Sequence, residues 1–152
     1  MPDLVEKQIR DAVVTVLTGL TTTGANVFPY RFYPVAENQL PALLVYTDDE
    51  EIEPDTLATL GGGHKKAHKL EVRIEVLEKQ SLEVEGTIAL IYKEVIIALE
   101  ADPTLGGLVK DLMNTSNSKD TNDEGEQPAI AGIMTWQAEY RTVEGAPDVS
   151  VS

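Results

Sequence analysis

The stretch that most constrains the fold is Lys69–Leu77, in which charged and aliphatic residues alternate. Successive side chains of a β-strand point to opposite faces of a sheet, so this alternation predicts a strand with one face in a hydrophobic core. Burying its aliphatic side chains would contribute roughly 1.5–3 kcal/mol each before the cost in entropy. These side chains are Leu70, Val72, Ile74 and Val76, and the charged ones between them are Lys69, Glu71, Arg73 and Glu75.

Composition is that of an ordinary globular domain. The 152 residues are 42% hydrophobic and 25% charged, which suffices for one domain with a sizeable core. Cysteine is absent, which excludes disulfides, thiolate metal sites and cysteine nucleophiles. We expect no signal peptide and no membrane association, because the start lacks basic and apolar regions and charges interrupt the longest apolar run, Thr87–Leu99. A cytosolic protein is the expectation.

The net charge of −14 narrows the classes of partner. It argues against binding nucleic acid by neutralising phosphates, which requires clustered lysine and arginine. Solubility accounts for such a charge in general. A second interpretation is that some of it lines a surface past which DNA slides without sticking. Composition leaves both interpretations open.

The segments before the alternating strand predict a helix and two strands. Asp3 and Glu6 fit a capping-box pattern, and the apolar stripe that ends at Leu20 predicts a helix of about five turns. Val27–Tyr33 is aromatic but contains proline, which favours an irregular edge strand. Ala42–Thr47 is a continuous apolar run, typical of a strand buried on both faces.

Two long polar segments interrupt these patterns. The first, Asp48–Lys66, begins with six acidic residues in eight and passes through a glycine run, which predicts an exposed and mobile connection. The second, Asn114–Glu126, is also interpreted as a loop. A solvated loop and a loop that contacts a partner both remain open at this point.

The segments after the alternating strand predict a helix and two further strands. Ser81 is placed to cap a helix whose apolar stripe covers Val84–Leu99. Leu108–Met113 is a short strand candidate. Ile130–Val143 predicts a long final strand that turns Trp136, the single tryptophan, toward the core.

Together these elements predict an α+β fold in the order α-β-β-β-α-β-β. We expect a single domain over residues 1–144, with a mainly antiparallel mixed sheet of about five strands and two helices packed on one face. Residues 145–152 are predicted to form a flexible tail.

No pattern in the chain predicts catalysis, a metal or a cofactor. The Gly61–Lys66 segment precedes a strand, whereas a phosphate-binding loop follows a strand and opens a helix. Four residues along a strand span about 13 Å, too far for His64 and His68 to share a zinc ion. The acidic run lacks the spacing of a calcium loop, and no nucleophile-elbow motif occurs. We therefore expect a protein that is not an enzyme.

Several segments together carry the pattern of a known family. They are Glu6–Leu17, Arg31–Pro34, Leu40–Tyr46 with the acidic stretch after it, the alternating strand with Arg73, Val84–Glu100 and Trp136–Tyr140. In these segments the chain resembles the tail terminator proteins of long-tailed bacteriophages, of the minor tail protein U type. The resemblance covers most of the chain, from Leu4 to Val143, and its motifs are mainly apolar patterns that specify a fold.

The resemblance implies a structural virion protein. Members of that family form a hexameric ring that docks on the last ring of the tail tube, stops its polymerisation and presents the surface for joining the head. The implied partners are other copies of the chain, the major tail tube protein and a head–tail connector or completion protein, while DNA passes through the lumen. The implied location is the neck-proximal end of the virion tail, after assembly in the host cytoplasm.

Contact residues are predicted from the two polar segments and from the charged face of the alternating strand. Another phage neck component, or a small acidic ligand-binding or regulatory domain, is the alternative function. The candidate interface residues are Asp48, Asp49, Glu50, Glu51, Glu53, Asp55, His64, Lys65, Lys66, Arg73, Asn117, Lys119 and Asp120.

Overall fold

The computed structural model describes residues 3–30, 36–54, 65–79, 82–119 and 129–151, with the backbone alone for residues 37 and 129–131. Within these ranges the chain forms two α-helices, a short 3-10 turn and six strands. The helices are α1 (Val5–Leu17) and α2 (Val84–Glu100), and the strands are β1 (Val27–Phe28), β2 (Ala42–Pro54), β3 (Lys65–Glu78), β4 (Asp111–Lys119), β5 (Ala129–Val143) and β6 (Ala146–Val151).

The strands form one mixed sheet in the order β1-β2-β3-β5-β4, with β6 also paired to β5. Only β1 and β2 are parallel among the described pairs. Since β3 pairs with β5 along its whole length, β4 and β6 both occupy the other edge of β5, one after the other. The α+β prediction is confirmed, with a sixth strand added.

The core lies between the helices and one face of the sheet. The alternating strand supplies its predicted aliphatic side chains to this core, and all of them are fully buried. Both helices contribute their apolar stripes to the same cluster, so they pack on one face as expected. No helix in the described ranges has the length and hydrophobicity to cross a membrane. The buried helix residues are Val5, Ile9, Val13 and Leu17 of α1 and Val84, Ile88, Ile91, Tyr92, Val95 and Leu99 of α2.

Helix α2 approaches β5 closely at Gly132. A Cβ atom at this position would lie 1.9 Å from the hydroxyl oxygen of Tyr92. That hydroxyl donates to the backbone carbonyl of Ser118 in β4, and burial raises the pKa of Tyr92 to about 12. Glycine is therefore required here because a larger side chain would displace the tyrosine.

The start of α1 differs from the prediction. The helix covers 13 residues and has no side-chain cap, so it is shorter than the five turns expected. Lys7 donates to the Asp3 carboxylate at 2.7 Å, and Glu6 accepts a 2.6 Å hydrogen bond from Thr47 of β2. The capping-box interpretation is wrong because both carboxylates have other partners. The proposed cap of α2, Ser81, lies outside the described residues.

The prediction of a loop from Asp48 to Lys66 is wrong for its described parts. Strand β2 continues to Pro54, and β3 begins at Lys65 and pairs with it. The connection between them is residues 55–64, so Asp55, His64 and the glycine run lie outside the described residues.

Two further polar segments form strands instead of the predicted loop and tail. Asn114–Lys119 belongs to β4, which begins at Asp111, three residues later than expected. Ala146–Val151 forms β6, and Gln8 of α1 donates to the carbonyl of Asp148 at 2.8 Å. Neighbouring strand edges and a helix side chain thus hold segments that carry no apolar pattern. Asp120 lies outside the described residues.

Candidate subunit-contact surfaces

The predicted acidic segment forms a two-stranded projection, here called the acidic arm and defined as Asp48–Pro54 of β2 with Lys65–Lys69 of β3. Burial along β2 changes from complete over Ala42–Tyr46 to exposed over Glu51–Pro54. Backbone pairing with β3 nevertheless continues to the end of the strand. Ile52 is 53% exposed, so the outer part of the arm extends beyond the layer that the helices cover.

A bulge at Asp48 and Asp49 decides which way the arm's carboxylates point. The register shifts between Thr47 and Glu50, so Glu50 lies opposite Leu70 and faces the helix side of the sheet. Glu51 then points to the other side, here called the open face. Asp49, Glu51 and Glu53 are all exposed, and none of them forms an ion pair within the described residues.

Arg73 is engaged inside its own sheet. Its guanidinium lies 3.0 Å from the Asp48 carboxylate on the neighbouring strand and 3.3 Å from Glu71 on its own strand. Burial lowers the pKa of Arg73, but the two carboxylates together with Tyr46 outweigh burial and the net shift is upward. Its alternation with Glu71 and Glu75 therefore serves pairing between strands of one sheet.

Glu75 does not present a charge to solvent. It is 9% exposed, and its carboxylate accepts a 2.5 Å hydrogen bond from the hydroxyl of Tyr46 on β2. A buried carboxylate requires such a donor because burial removes its water. The charged face of the alternating strand is thus partly an interior surface.

The open face carries an acidic groove of about 310 Å³ beside the arm. It is lined by Asp49, Glu51, Lys69, Glu71, Thr115 and Gln137. The described lining thus has three carboxylates against one lysine, which gives it a negative charge. Among the described residues, no group of three or more acidic or histidine side chains is arranged to hold a metal ion.

On the helix side, the base of the arm is joined to β5 by a buried histidine network. The ring nitrogens of His68 lie 3.0 Å from Glu50 Oε1 and 2.7 Å from Thr142 Oγ1. Tyr140 stacks on the imidazole with ring centroids 4.3 Å apart and donates to Glu50 Oε2 at 2.6 Å. An ionised carboxylate only accepts, so Nδ1 of His68 donates to Glu50, and in the neutral imidazole Nε2 then accepts the Thr142 hydroxyl proton.

The order threonine, histidine, glutamate is also that of a nucleophile with its base and orienting acid. Whether a substrate could reach Thr142 decides between a catalytic and a structural role for these residues. Thr142 is 3% exposed. A hydroxyl that is buried among the residues of its own network is not accessible to a substrate, so the network serves to join three strands.

Tyr140 supplies the second hydrogen-bond donor to Glu50 in this network. Burial raises its pKa, and the hydrogen bond and charge of Glu50 raise it further. The hydroxyl therefore stays protonated and continues to donate to Glu50 over the whole ordinary pH range. This fixes Glu50 as an acceptor for two donors.

At the outer edge of β5, the turn before β4 and the end of β6 enclose a cavity of about 260 Å³, here called the basic pocket. Its described lining includes Lys110 and Arg141 and no acidic residue, while Glu139 lines the neighbouring cavity together with the same two cations. Lys110 is exposed and forms no ion pair within the described ranges. The remaining lining residues are Gly107, Leu108, Val109, Ser150 and Val151.

Strand β4 carries the other predicted contact residues. The side-chain amides of Asn114 and Asn117 exchange hydrogen bonds of 2.9 and 3.1 Å, and Lys119 is exposed at the end of the strand. Because β4 pairs only with β5 among the described strands, its outer edge is a sheet edge.

The structure separates the predicted contact residues into groups. Asp49, Glu51, Glu53 and Lys66 lie exposed on the arm, whereas Glu50 is turned into the histidine network. Lys65 is half-buried at the start of β3. Glu50 lies in strand β2 and not in a loop, and the bulge turns its side chain to the helix side, whereas its predicted role in a subunit contact stays a prediction.

Three residues of the network and both basic residues of the pocket were not among the predicted contact residues. His68 continues the even phase of the alternating strand, and Thr142 continues that of β5, so the periodicity could have placed both on the helix side. The basic pocket had no such signal, since β6 was expected to be a tail.

No protein-family model matches the chain, and no curated protein matches it.

Proposed function

We propose that this protein is a structural subunit of a phage tail that assembles into a ring, caps the tail tube and stops its polymerisation. The observation that carries the proposal is the acidic arm, a paired ribbon that continues beyond the core with its carboxylates exposed. The sequence resemblance to tail terminators supplies the class of assembly.

The arm is suited to contact another molecule without ordering first. Its backbone groups are already paired to β3, so binding through it would cost little conformational entropy. Its outer edge is charged and ends in Pro54, features that discourage indiscriminate strand pairing. A preformed and selective projection fits a defined subunit contact.

The strand ends that precede the β2–β3 and β4–β5 connections lie at opposite ends of the sheet. Strand β3 has 14 residues, a length of about 45 Å, and the β2–β3 connection begins at one end while the β4–β5 connection begins at the other. In the proposed ring, one end meets the tail tube and the other meets the head–tail connector or completion protein.

The proposal assigns the protein no catalytic role, cofactor or membrane contact. It places the ring at the neck-proximal end of the tail, after assembly in the host cytoplasm, with DNA in its lumen. A lumen lined by acidic surfaces would repel phosphates and let the genome slide.

The test combines light scattering with tube growth. The purified protein at micromolar concentration is mixed with polymerising tail tube protein of the same phage, and tube lengths are measured by electron microscopy. We expect a ring of uniform mass and tubes that stop lengthening when it is added. A monomer that leaves tube growth unchanged would contradict the proposal.

The open-face groove of about 310 Å³ favours one alternative, a small ligand-binding or regulatory domain. In that case a cationic metabolite would raise the melting temperature while the mass stays that of a monomer. A ring that binds a connector but leaves tube length unchanged would instead indicate another neck component.

A further inference from the structure

We infer that the basic pocket of one subunit binds the acidic arm of the next copy, through Lys110 and Arg141 on one side and Glu51 and Glu53 on the other. This inference rests on the proposed ring and names the contact that closes it. It follows from where the two surfaces lie in the sheet and from their charges.

The first step is the chemistry of the pocket. Its described lining combines Lys110 and Arg141 with Ser150 and includes no acidic residue, although Glu139 lies with the same two cations around the neighbouring cavity. In a chain with 26 acidic and 12 basic residues, such a local excess of positive charge is the exception. Lysine and arginine donate strong hydrogen bonds to carboxylates, and arginine does so in a two-pronged geometry. The pocket therefore suits carboxylate side chains.

The second step is the chemistry of the arm. Glu51 and Glu53 are exposed on the same side of β2, and neither forms an ion pair within the described part of the chain. Residues two apart on a strand point to the same face, so these carboxylates form a pair about 7 Å apart along the strand. That pair matches a pocket with two cations.

The third step is the sheet register. Glu53 of β2 lies opposite Ala67 of β3, which lies opposite Arg141 of β5, which lies opposite Val151 of β6. The carboxylate and the pocket thus occupy opposite ends of one row across the sheet. Sheets placed side by side in the same orientation bring the Glu53 end of one row to the Val151 end of the next.

This geometry makes the contact heterologous. The arm and the pocket are different surfaces on different edges, so each subunit offers one to each neighbour, which is the arrangement that generates rings. Charge complementarity also selects the partner, because two arms or two pockets repel each other.

The test is a charge-swap complementation. Variant one carries Lys110→Glu, and variant two carries Glu51→Lys with Glu53→Lys. Each is expected to raise the concentration needed for ring assembly at least about tenfold, measured by sedimentation velocity under the condition in which the wild-type ring forms. An equimolar mixture of the two is expected to restore assembly, because each reversed surface then meets an opposite charge.

Matched controls reverse exposed charges on α2, away from both surfaces, with Lys93→Glu and Glu85→Lys. Both are expected to assemble as wild type, and circular dichroism verifies that every variant is folded. A further variant, Arg141→Gln, is expected to weaken assembly in the same direction as Lys110→Glu.

Two outcomes would overturn the inference while leaving the proposed function intact. In one, the wild type forms rings and both reversal variants do so equally well. In the other, each variant fails alone and their mixture also fails. If the wild type forms no ring even on tail tubes, the proposed function itself is overturned.

Discussion

Backbone hydrogen bonds pair β2 with β3 at both ends of their ladder, but the burial of the side chains differs between the two ends. At the covered end, Ala42–Tyr46 pairs with Arg73–Leu77, and the helix-side residues pack under α1 and α2. At the arm, Glu50–Pro54 pairs with Lys66–Leu70, and most of these β2 side chains are exposed. Backbone pairing in this protein therefore extends beyond the hydrophobic core, and other interactions must stabilise the arm.

The histidine network is the interaction that replaces apolar packing. His68, Tyr140, Thr142 and Glu50 occupy the helix side of the sheet immediately beyond the fully buried aliphatic rows. Buried polar groups that are all hydrogen-bonded fix one arrangement of the strands, because any other leaves a donor or acceptor unsatisfied. The network thus joins the arm's base to β5 while leaving the opposite side of the arm free for contact.

The largest expected effect tests whether the two ends differ in packing. Ile74→Ala at the covered end removes a fully buried side chain and is expected to lower the free energy of unfolding by about 2–5 kcal/mol. The matched variant Ile52→Ala changes a residue of the arm that faces the same side of the sheet. It is expected to lower the free energy of unfolding by less than about 0.5 kcal/mol. Urea unfolding measures both. Equal losses would mean that the arm is packed like the core.

A second pair of variants compares the two sides of the arm. Glu50→Ala leaves the His68 and Tyr140 donors without their shared acceptor, and is expected to cost about 1–3 kcal/mol. Glu51→Ala, one residue further along the strand, removes an exposed carboxylate and should stay within about 0.5 kcal/mol. Amide hydrogen exchange across the arm should rise in the first variant alone. A similar loss in both would argue against the network as its anchor.

The smallest expected effect is a pH dependence of the free energy of unfolding. It arises from two buried tyrosines, one near each end of the β2–β3 ladder. The folded-state pKa values of Tyr92 and Tyr140 are both raised above the ordinary value of 10.0. Their stabilising effect is therefore complete below about pH 10 and is lost as pH rises toward the folded-state pKa, which for Tyr92 is about 12. Unfolding then releases a proton.

We expect stability above pH 10 to fall by up to about 1.4 kcal/mol per pH unit for each tyrosine. Tyr92→Phe and Tyr140→Phe should each make the decline shallower, as measured by urea unfolding at a series of alkaline pH values. A slope that neither substitution changes would assign the decline to other groups.

The parts of the fold that the sequence predicted are those in which apolar residues recur with a regular period. The alternation in Lys69–Leu77, the stripes of the two helices and the inward phase of Trp136 and Tyr140 all specify a buried face directly. The segments that it missed, Asp48–Pro54, Asn114–Lys119 and Ala146–Val151, are polar strands held by neighbouring edges. A polar strand has no burial pattern to reveal it.

The contact surfaces were likewise predictable from the sequence only in part. The excess of acid at Asp48–Asp55 was visible as composition, but the bulge that separates Glu50 from Glu51 depends on the register with β3. The basic pocket was invisible, since Lys110 and Arg141 are 31 positions apart in the sequence and meet only because β4 and β6 share one edge of β5.

The sequence by itself determined an α+β domain with two helices over one sheet, because the period of its apolar residues specifies which face of each helix and strand is buried in the core. Tertiary structure alone decided how far each strand extends, which carboxylate of the arm turns inward and which cations gather at the far edge. Those outcomes depend on hydrogen bonds to whatever strand lies alongside, and a strand's neighbours are a property of the folded chain.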